Sequence, residues 1–204
     1  MYIFKNNRQH KYDTIAEIKS SPEDKFGIIR SVQIKITTAS GLKYSTIKAN
    51  IPHVKHDIPI FILFRALGIE SDKEIIYNII DNNGIYDKKF IDILLPSFKD
   101  VFEIRTKLDA YEYIYPYLNQ SYNYLSNENK NKYIENYILK NILPHIPNVS
   151  NKLLFLGYMI NKLLKVYCEI EKTDDRDSYI NKRIDTPGML MGNLTYLCIS
   201  KMIK

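Results

Sequence analysis

The sequence predicts an α+β fold, an N-terminal β-hairpin and sheet region packed on a mainly helical body. Three observations carry this. Val32, Ile34 and Ile36 alternate with polar residues over 31–38, which gives an extended strand one apolar face. Ala39-Ser40-Gly41 is a turn signal, and residues 42–50 read as the returning strand of a hairpin. From Ile60 onward apolar residues recur every three or four positions rather than every two, which is the helical period. Strands first and helices after is the order of an α+β chain.

Before the hairpin, residues 12–19 alternate in part, with Ile15 and Ile18 as anchors. Two strands alone are marginal, so a further strand or a helix must lie against them. Phe61, Phe64 and Leu67, with Ile60 and Leu63 beside them, predict one apolar helical face that ends at Gly68. Ser71-Asp-Lys-Glu74 has the capping-box pattern and opens a helix carrying Ile75, Ile76, Ile79 and Ile80, which stops at Asn82-Asn83-Gly84. Helical stretches follow at 87–95 and 109–116. The asparagine-rich residues 119–131 read as a surface loop, and 132–143 as a helix broken near Pro144 and Pro147. The clearest periodicity spans 150–169, through Leu153, Leu156, Ile160, Leu163, Leu164 and Tyr167; Gly157 on that face marks a close approach. Residues 172–182 are polar and charged, hence a loop. A last helix over 188–204 places Leu190, Leu194, Leu197 and Ile199 for burial. No internal repeat is visible.

Composition narrows the function classes. A length of 204 residues suits one domain with its own core. Apolar residues at 45% and charged residues at 25% argue against wholesale disorder. Two cysteines, Cys168 and Cys198, without a CxxC pair argue against a disulfide framework or a cysteine zinc site and for a reducing compartment. No run of about 18 apolar residues occurs, since Pro59 and Arg65 interrupt the best one, Ile58 to Ile69; no membrane span is expected. The first eight residues carry no long apolar stretch and read as no secretory signal. Ile, Lys, Asn and Tyr supply 90 of the 204 residues, a bias toward AT-rich codons that discounts lysines and asparagines as evidence of a site.

The net charge of +6 is uneven. Residues 1–56 hold ten Lys and Arg against four Asp and Glu, residues 57–149 ten against thirteen, and residues 150–204 nine against six. The two basic ends either favour a polyanion or form a solvated surface. His53 and His56 have H-x-x-H spacing but no further ligands nearby, so an exposed turn is the better reading than a metal site. No nucleophile-elbow, Walker or G-x-G-x-x-G pattern occurs. Gly188 and Gly192 share the small-residue helix spacing and imply close packing at most. One stretch stands apart: Asp174-Asp175-Arg176-Asp177, followed by Lys182, Arg183 and Asp185. Internal ion pairing, phosphate or base contact, and divalent-cation binding all fit its residue types.

Asp174-Asp-Arg-Asp followed by Asn181-Lys-Arg-Ile-Asp closely resembles a signature of the second-largest, β-like subunit of multisubunit DNA-directed RNA polymerases. Further blocks agree in order: residues 46–59, Ile58-Pro-Ile-Phe-Ile-Leu-Phe-Arg-Ala-Leu-Gly-Ile69, Leu143-Pro-His-Ile, and Phe155-Leu-Gly-Tyr-Met-Ile-Asn-Lys-Leu-Leu164. The wording Asp-Ser-Tyr-Ile-Asn-Lys-Arg is most similar to the versions of large nucleocytoplasmic DNA viruses.

That resemblance implies the polymerase lobe over 1–177 and, over 178–204, the start of a return segment into the protrusion. It implies a piece of a far longer subunit, lining the DNA cleft without the catalytic centre and inactive alone. It assigns no cofactor or metal to this chain, the magnesium of the assembled enzyme being held by the largest subunit. Implied partners are the largest subunit, the remainder of the second-largest subunit, double- and single-stranded DNA, and initiation factors, with no membrane. The implied setting is intracellular, a virion or host cytoplasm for a viral enzyme and the nucleus for a cellular one. In distant bacterial relatives the positions matching Asp177 and Lys182 lie near single-stranded DNA. Asp177, Lys182 and Arg183 are therefore the expected DNA contacts, and Asp174, Asp175, Arg176 and Asp185 an expected structural charge cluster. Two departures bear on this: Ile180 stands where the family usually has glycine, and Thr186-Pro-Gly replaces a common Leu-Ala-Gly. The alternative is a stand-alone nucleic-acid-binding or polymerase-docking module derived from the lobe.

Overall fold

The computed structural model describes residues 1–8, 11–21, 29–38, 44–80, 87–118, 127–175, 177–182 and 184–203. Among them, five strands form one antiparallel sheet in chain order: β1 (Tyr2–Arg8), β2 (Lys11–Ser20), β3 (Arg30–Thr38), β4 (Ser45–Asn50) and β5 (Ile58–Pro59). Helices α1 (Ile60–Ala66), α2 (Asp72–Ile79), α3 (Asp87–Lys99), α4 (Lys107–Ile114), α5 (Asn127–Asn141), α6 (Val149–Tyr167) and α7 (Pro187–Met202) follow. The fold class is α+β as expected. The hairpin turn at 39–41 and the helix stop at 82–84 lie outside the described residues.

Register explains the sheet. Ile3, Ala16, Ile34, Ala49 and Ile58 form one buried row across all five strands, flanked by the pairs Ile18–Val32 and Ile36–Ile47. A slip of one residue would bring Lys35 and Lys48 inward instead. The opposite face carries Phe4, Ile15, Lys35 and Lys48 in one row. Ile15 and Ile18 thus point to opposite faces, and the inner anchors of β2 are Ala16 and Ile18. β1 escapes the alternation pattern because Tyr2 and Phe4, on the outer face, flank the inward Ile3 with further apolar side chains.

Glu17 is buried on that outer face and accepts a 2.8 Å hydrogen bond from the Ser31 hydroxyl. Burial alone would raise its carboxyl, but hydrogen bonds from Tyr2, Ser31 and Gln33 and the charge of Lys19 outweigh it and hold the group below its ordinary 4.5.

Helix α1 is buried on every side, not on the single predicted face. Arg65, 1% exposed, lies within it. Its Nη1 donates to the carbonyls of Val101 (3.1 Å) and Ile104, and its Nη2 pairs with Asp72 Oδ1 at 2.5 Å. Asp72 is the first residue of α2, and this ion pair holds that helix end. Ser71 is the N-cap residue, but its side chain makes no capping hydrogen bond, contrary to the capping-box expectation. A capping box forms instead at α4: Thr106 Oγ1 accepts from the Asp109 N–H and Asp109 Oδ2 from the Thr106 N–H. α3 runs through Pro96 to Lys99 rather than stopping at Leu95, and buried Ser97 accepts from the Ile47 N–H of β4 at 2.8 Å. α5 starts at Asn127, inside the stretch expected to be loop.

α6 packs on α2 where α6 lacks a side chain. A Cβ on Gly157 would sit 2.1 Å from the Asn78 carbonyl oxygen. One turn on, buried Asn161 donates to the Ile79 carbonyl at 2.9 Å and so satisfies the end of α2. Lys152, 2% exposed, donates to the carbonyls of Leu139 and Ile142 and ties the start of α6 to the end of α5. Burial lowers its pKa.

Helix α7 departs from expectation. Leu190, Leu194, Leu197 and Ile199 are all exposed, and no residue of α7 is buried. Among the described residues nothing lies within 4 Å of where a Cβ on Gly188 would be, so that glycine marks no close approach there.

Two outcomes follow from the packing. Gly157→Ala forces α6 off α2 and lowers the free energy of unfolding by about 1–3 kcal/mol in urea titrations; an unchanged midpoint would show that the close approach is unimportant. Because the Glu17 pKa is lowered on folding, its stabilisation is fully present above pH 4.5 and is lost as pH falls through the depressed value. Glu17→Gln therefore flattens the acid limb of the stability profile, and an unaltered limb counts against the assignment.

Candidate nucleic-acid interface

The charged stretch begins where α6 ends, and that end is a left-handed turn. Glu169 has φ +60°. Its N–H donates to the Val166 carbonyl at 3.1 Å and the Ile170 N–H to the Lys165 carbonyl at 2.9 Å, the hydrogen-bond pattern of a Schellman motif. Glycine is the usual occupant of such a position. Glu169 there keeps an exposed 3.5 Å contact to Lys5 of β1.

The turn sends the chain back along the sheet edge. The Asp174 N–H donates to the Ile3 carbonyl at 2.8 Å, and the Ile3 N–H donates to Asp174 Oδ2 at 2.9 Å. One residue thus satisfies both edge-facing backbone groups of Ile3 and closes that part of the open edge. Asp174 is a clamp between positions 171 residues apart.

Beyond the clamp the stretch faces solvent. Asp175 Oδ1 accepts from the Asp177 N–H at 2.9 Å, a local turn. Residues Tyr179–Asn181 form a 3-10 turn that brings Lys182 back toward Asp177, with Nζ 3.8 Å from Oδ1 and 5.7 Å from the centre of the Tyr179 ring. Both charged side chains are largely exposed, so this pair contributes little to stability. Tyr179 is 89% and Ile180 94% exposed. Ile180 lies within the 3-10 turn, without the positive φ that its glycine counterpart would permit. Asp185 is exposed. Arg176 and Arg183 lie outside the described residues.

The expected contacts Asp177 and Lys182 therefore come together on one exposed turn, a carboxylate beside an ammonium with an open aromatic ring. Such a turn can offer a phosphate contact, a base-amino acceptor and a stacking face. Asp174 belongs to the fold. Among the described residues no three His, Cys, Asp or Glu side chains gather as a metal site requires. His53 and His56 are exposed on a turn, and His56 meets the Tyr117 ring edge-on at 5.1 Å. The Asp174 clamp left no local sequence signal, because its partner is at the other end of the chain.

A sequence profile described as RNA polymerase Rpb2, domain 2, matches residues 2–185. The DNA-directed RNA polymerase II subunit RPB2 of Eremothecium gossypii is 34% identical over 99% of this chain, which spans 16% of that protein. The subunit of the same name from Schizosaccharomyces pombe is 34% identical over 99% of this chain and 17% of its own length. The DNA-directed RNA polymerase subunit 2 of Acanthamoeba polyphaga mimivirus is 31% identical over 78% of this chain and 15% of its own length. Cellular and viral sequences thus share the likeness. The chain spans about a sixth of the length of these relatives.

Asp174→Ala releases the edge of β1. Hydrogen exchange at the Ile3 amide should accelerate by at least about tenfold, while Asp177→Ala leaves it unchanged. Equal protection in both variants would remove the clamp.

Proposed function

The chain belongs to the RNA polymerase Rpb2 domain 2 family, and from that premise we propose that it is the lobe of the second-largest subunit of a DNA-directed RNA polymerase. In this reading it lines the DNA cleft and guides the strand while other parts of the enzyme form the bonds. The observation that carries it is the match itself, continuous from residue 2 to residue 185, with relatives aligned over 99% of the chain.

The chain alone is inactive in nucleotide transfer, and the assembly's magnesium sits on the largest subunit. Residues 1–177 are the lobe and 178–204 begin the return into the protrusion. One observation supports a separate C-terminal segment: α7 is apolar yet has no buried residue, while the profile match itself runs past that boundary to residue 185. The remainder of the second-largest subunit covers α7, the largest subunit and initiation factors complete the assembly, and the enzyme works in the nucleus, or in a virion or host cytoplasm if viral. Asp177, Lys182 and Arg183 touch single-stranded DNA. The support is the exposure of the 177–182 turn and its mixed charge.

The test is Lys182→Ala with Arg183→Ala in the assembled polymerase, read by crosslinking to single-stranded DNA and by the salt dependence of binding. Each lost phosphate contact lowers the slope of log affinity against log salt by about 0.7. An unchanged slope and crosslink would overturn the contact assignment. Nucleotide addition by the isolated chain would overturn the functional reading as a whole.

A further inference from the structure

A cleft of about 580 Å³ opens between α5, the start of β3 and the turn after β4, and none of its lining residues belongs to the charged stretch. Its volume falls in the range of small-molecule sites, about 300–1,000 Å³. One wall is a stripe of α5: Tyr133, Asn136, Tyr137 and Lys140 recur at three and four residues, next to the core stripe of Ile134 and Ile138. Facing it are Arg30 from β3 and His53 from the turn. Among the described lining residues there is no carboxylate.

The walls are fixed in place. The Tyr137 hydroxyl donates to the Pro52 carbonyl at 3.1 Å, and Asn141 donates to the Tyr137 carbonyl at 2.8 Å. Val54 bridges to Leu118, and the Lys55 N–H donates to the Tyr117 carbonyl at 3.0 Å, so the turn is stapled to the segment after α4. His53 sits at the rim with φ +63°, in the left-handed region where histidine is among the more frequent non-glycine residues. The Tyr133 and Tyr137 rings lie half-buried side by side, centroids 6.1 Å apart. The Tyr137 phenol is pushed up by burial and further by Tyr133, and the Arg30 charge opposes the rise.

We propose that this cleft binds a small ligand joining a planar ring to a polyphosphate, of the nucleoside diphosphate class. Arg30 and Lys140 take the phosphates, the guanidinium through its planar fork and the ammonium as a point charge. The tyrosine pair takes the ring, and His53 and Asn136 at the mouth supply further polar contacts. An isolated carboxylate side chain would fill a small part of this volume and leave the aromatic wall unused, so the lining favours the larger ligand over an acidic peptide. This proposal stands independently of the polymerase reading.

The experiment is calorimetric titration of the full chain with ADP, pyrophosphate, adenosine and a polyglutamate peptide, with nuclear magnetic resonance to locate the site. ADP binds at one site, pyrophosphate and adenosine each bind more weakly, and polyglutamate does not compete. Arg30→Ala with Lys140→Ala weakens ADP by more than about tenfold, and Tyr133→Leu weakens ADP while leaving pyrophosphate unchanged. Lys88→Ala and Lys132→Ala, two lysines outside the lining, serve as charge controls and leave ADP binding intact. Thermal unfolding of each variant confirms that it is folded, and Arg30→Lys restores part of the affinity if Arg30→Ala alone fails to fold. No ADP binding at millimolar concentration, equal loss in the control variants, or tight binding of polyglutamate with none of ADP would each overturn the proposal.

Discussion

A guanidinium inside a protein core has to be answered where it lies, and the answer given to Arg65 sets how the helices assemble. α1 lies under the sheet with every residue buried, so its arginine cannot reach water. The two carbonyls it takes belong to the turn between α3 and α4, and the carboxylate is the first residue of α2. One side chain therefore fixes two neighbouring segments, that turn and α2, relative to α1. Lys152 repeats the device with the end of α5. Lys152 donates to carbonyls in the last turn of α5 and just past its end, where peptide dipoles already favour positive charge, whereas the Arg65 acceptors lie in the turn between α3 and α4 and its Nε has no partner among the described residues. Breaking such an arrangement from one side leaves polar groups buried and unpaired, which costs far more than the pair contributes when intact.

The exposed turn at 177–182 inherits its position from this core through a short chain of constraints. α6 is held by Gly157 against α2 and by Lys152 against α5. Its left-handed end at Glu169 turns the chain by local hydrogen bonding, and Asp174 then fastens it to β1. Beyond that anchor the chain presents Asp177 and Lys182 together on one exposed turn. The acidic residues of the stretch thus divide by role: the first is a structural fastener, while Asp177 remains exposed next to Lys182. A charge-dense motif read in one dimension merges these roles, because the fastener and the exposed carboxylate have the same side chain.

What the sequence made legible follows from range. The alternation of Val32, Ile34 and Ile36 and the three-four repeat of α6 are local patterns, and both elements stand where they predict. Gly157 was legible as a close approach, though not its partner Asn78. Cap chemistry was only half legible: Ser71 and Thr106 both precede an acid at the third position, yet only Thr106 forms the box, and at α2 the Asp72 carboxylate pairs with Arg65. The start of α5 was hidden by its polar asparagines, which propensity assigns to loops. Of the candidate site, the residues were named but their division of labour was not, because the hydrogen bonds of Asp174 reach across 171 positions.

α1 and α7 sharpen that point. Both are apolar around their circumference, and a helix of that kind is expected to be enclosed. α1 is enclosed and α7 is not, so the difference between them lies in what surrounds them and not in their own residues. No residue of α7 joins the buried core, which the sheet and the helices before α7 form. Burial of α7 is then a separate term, available to association rather than to folding of the body. For a chain that spans about a sixth of its relatives' length, this separation has a physical consequence. The Asp174 anchor holds the start of the charged turn to β1, and the apolar helix that follows the turn leaves its own face exposed.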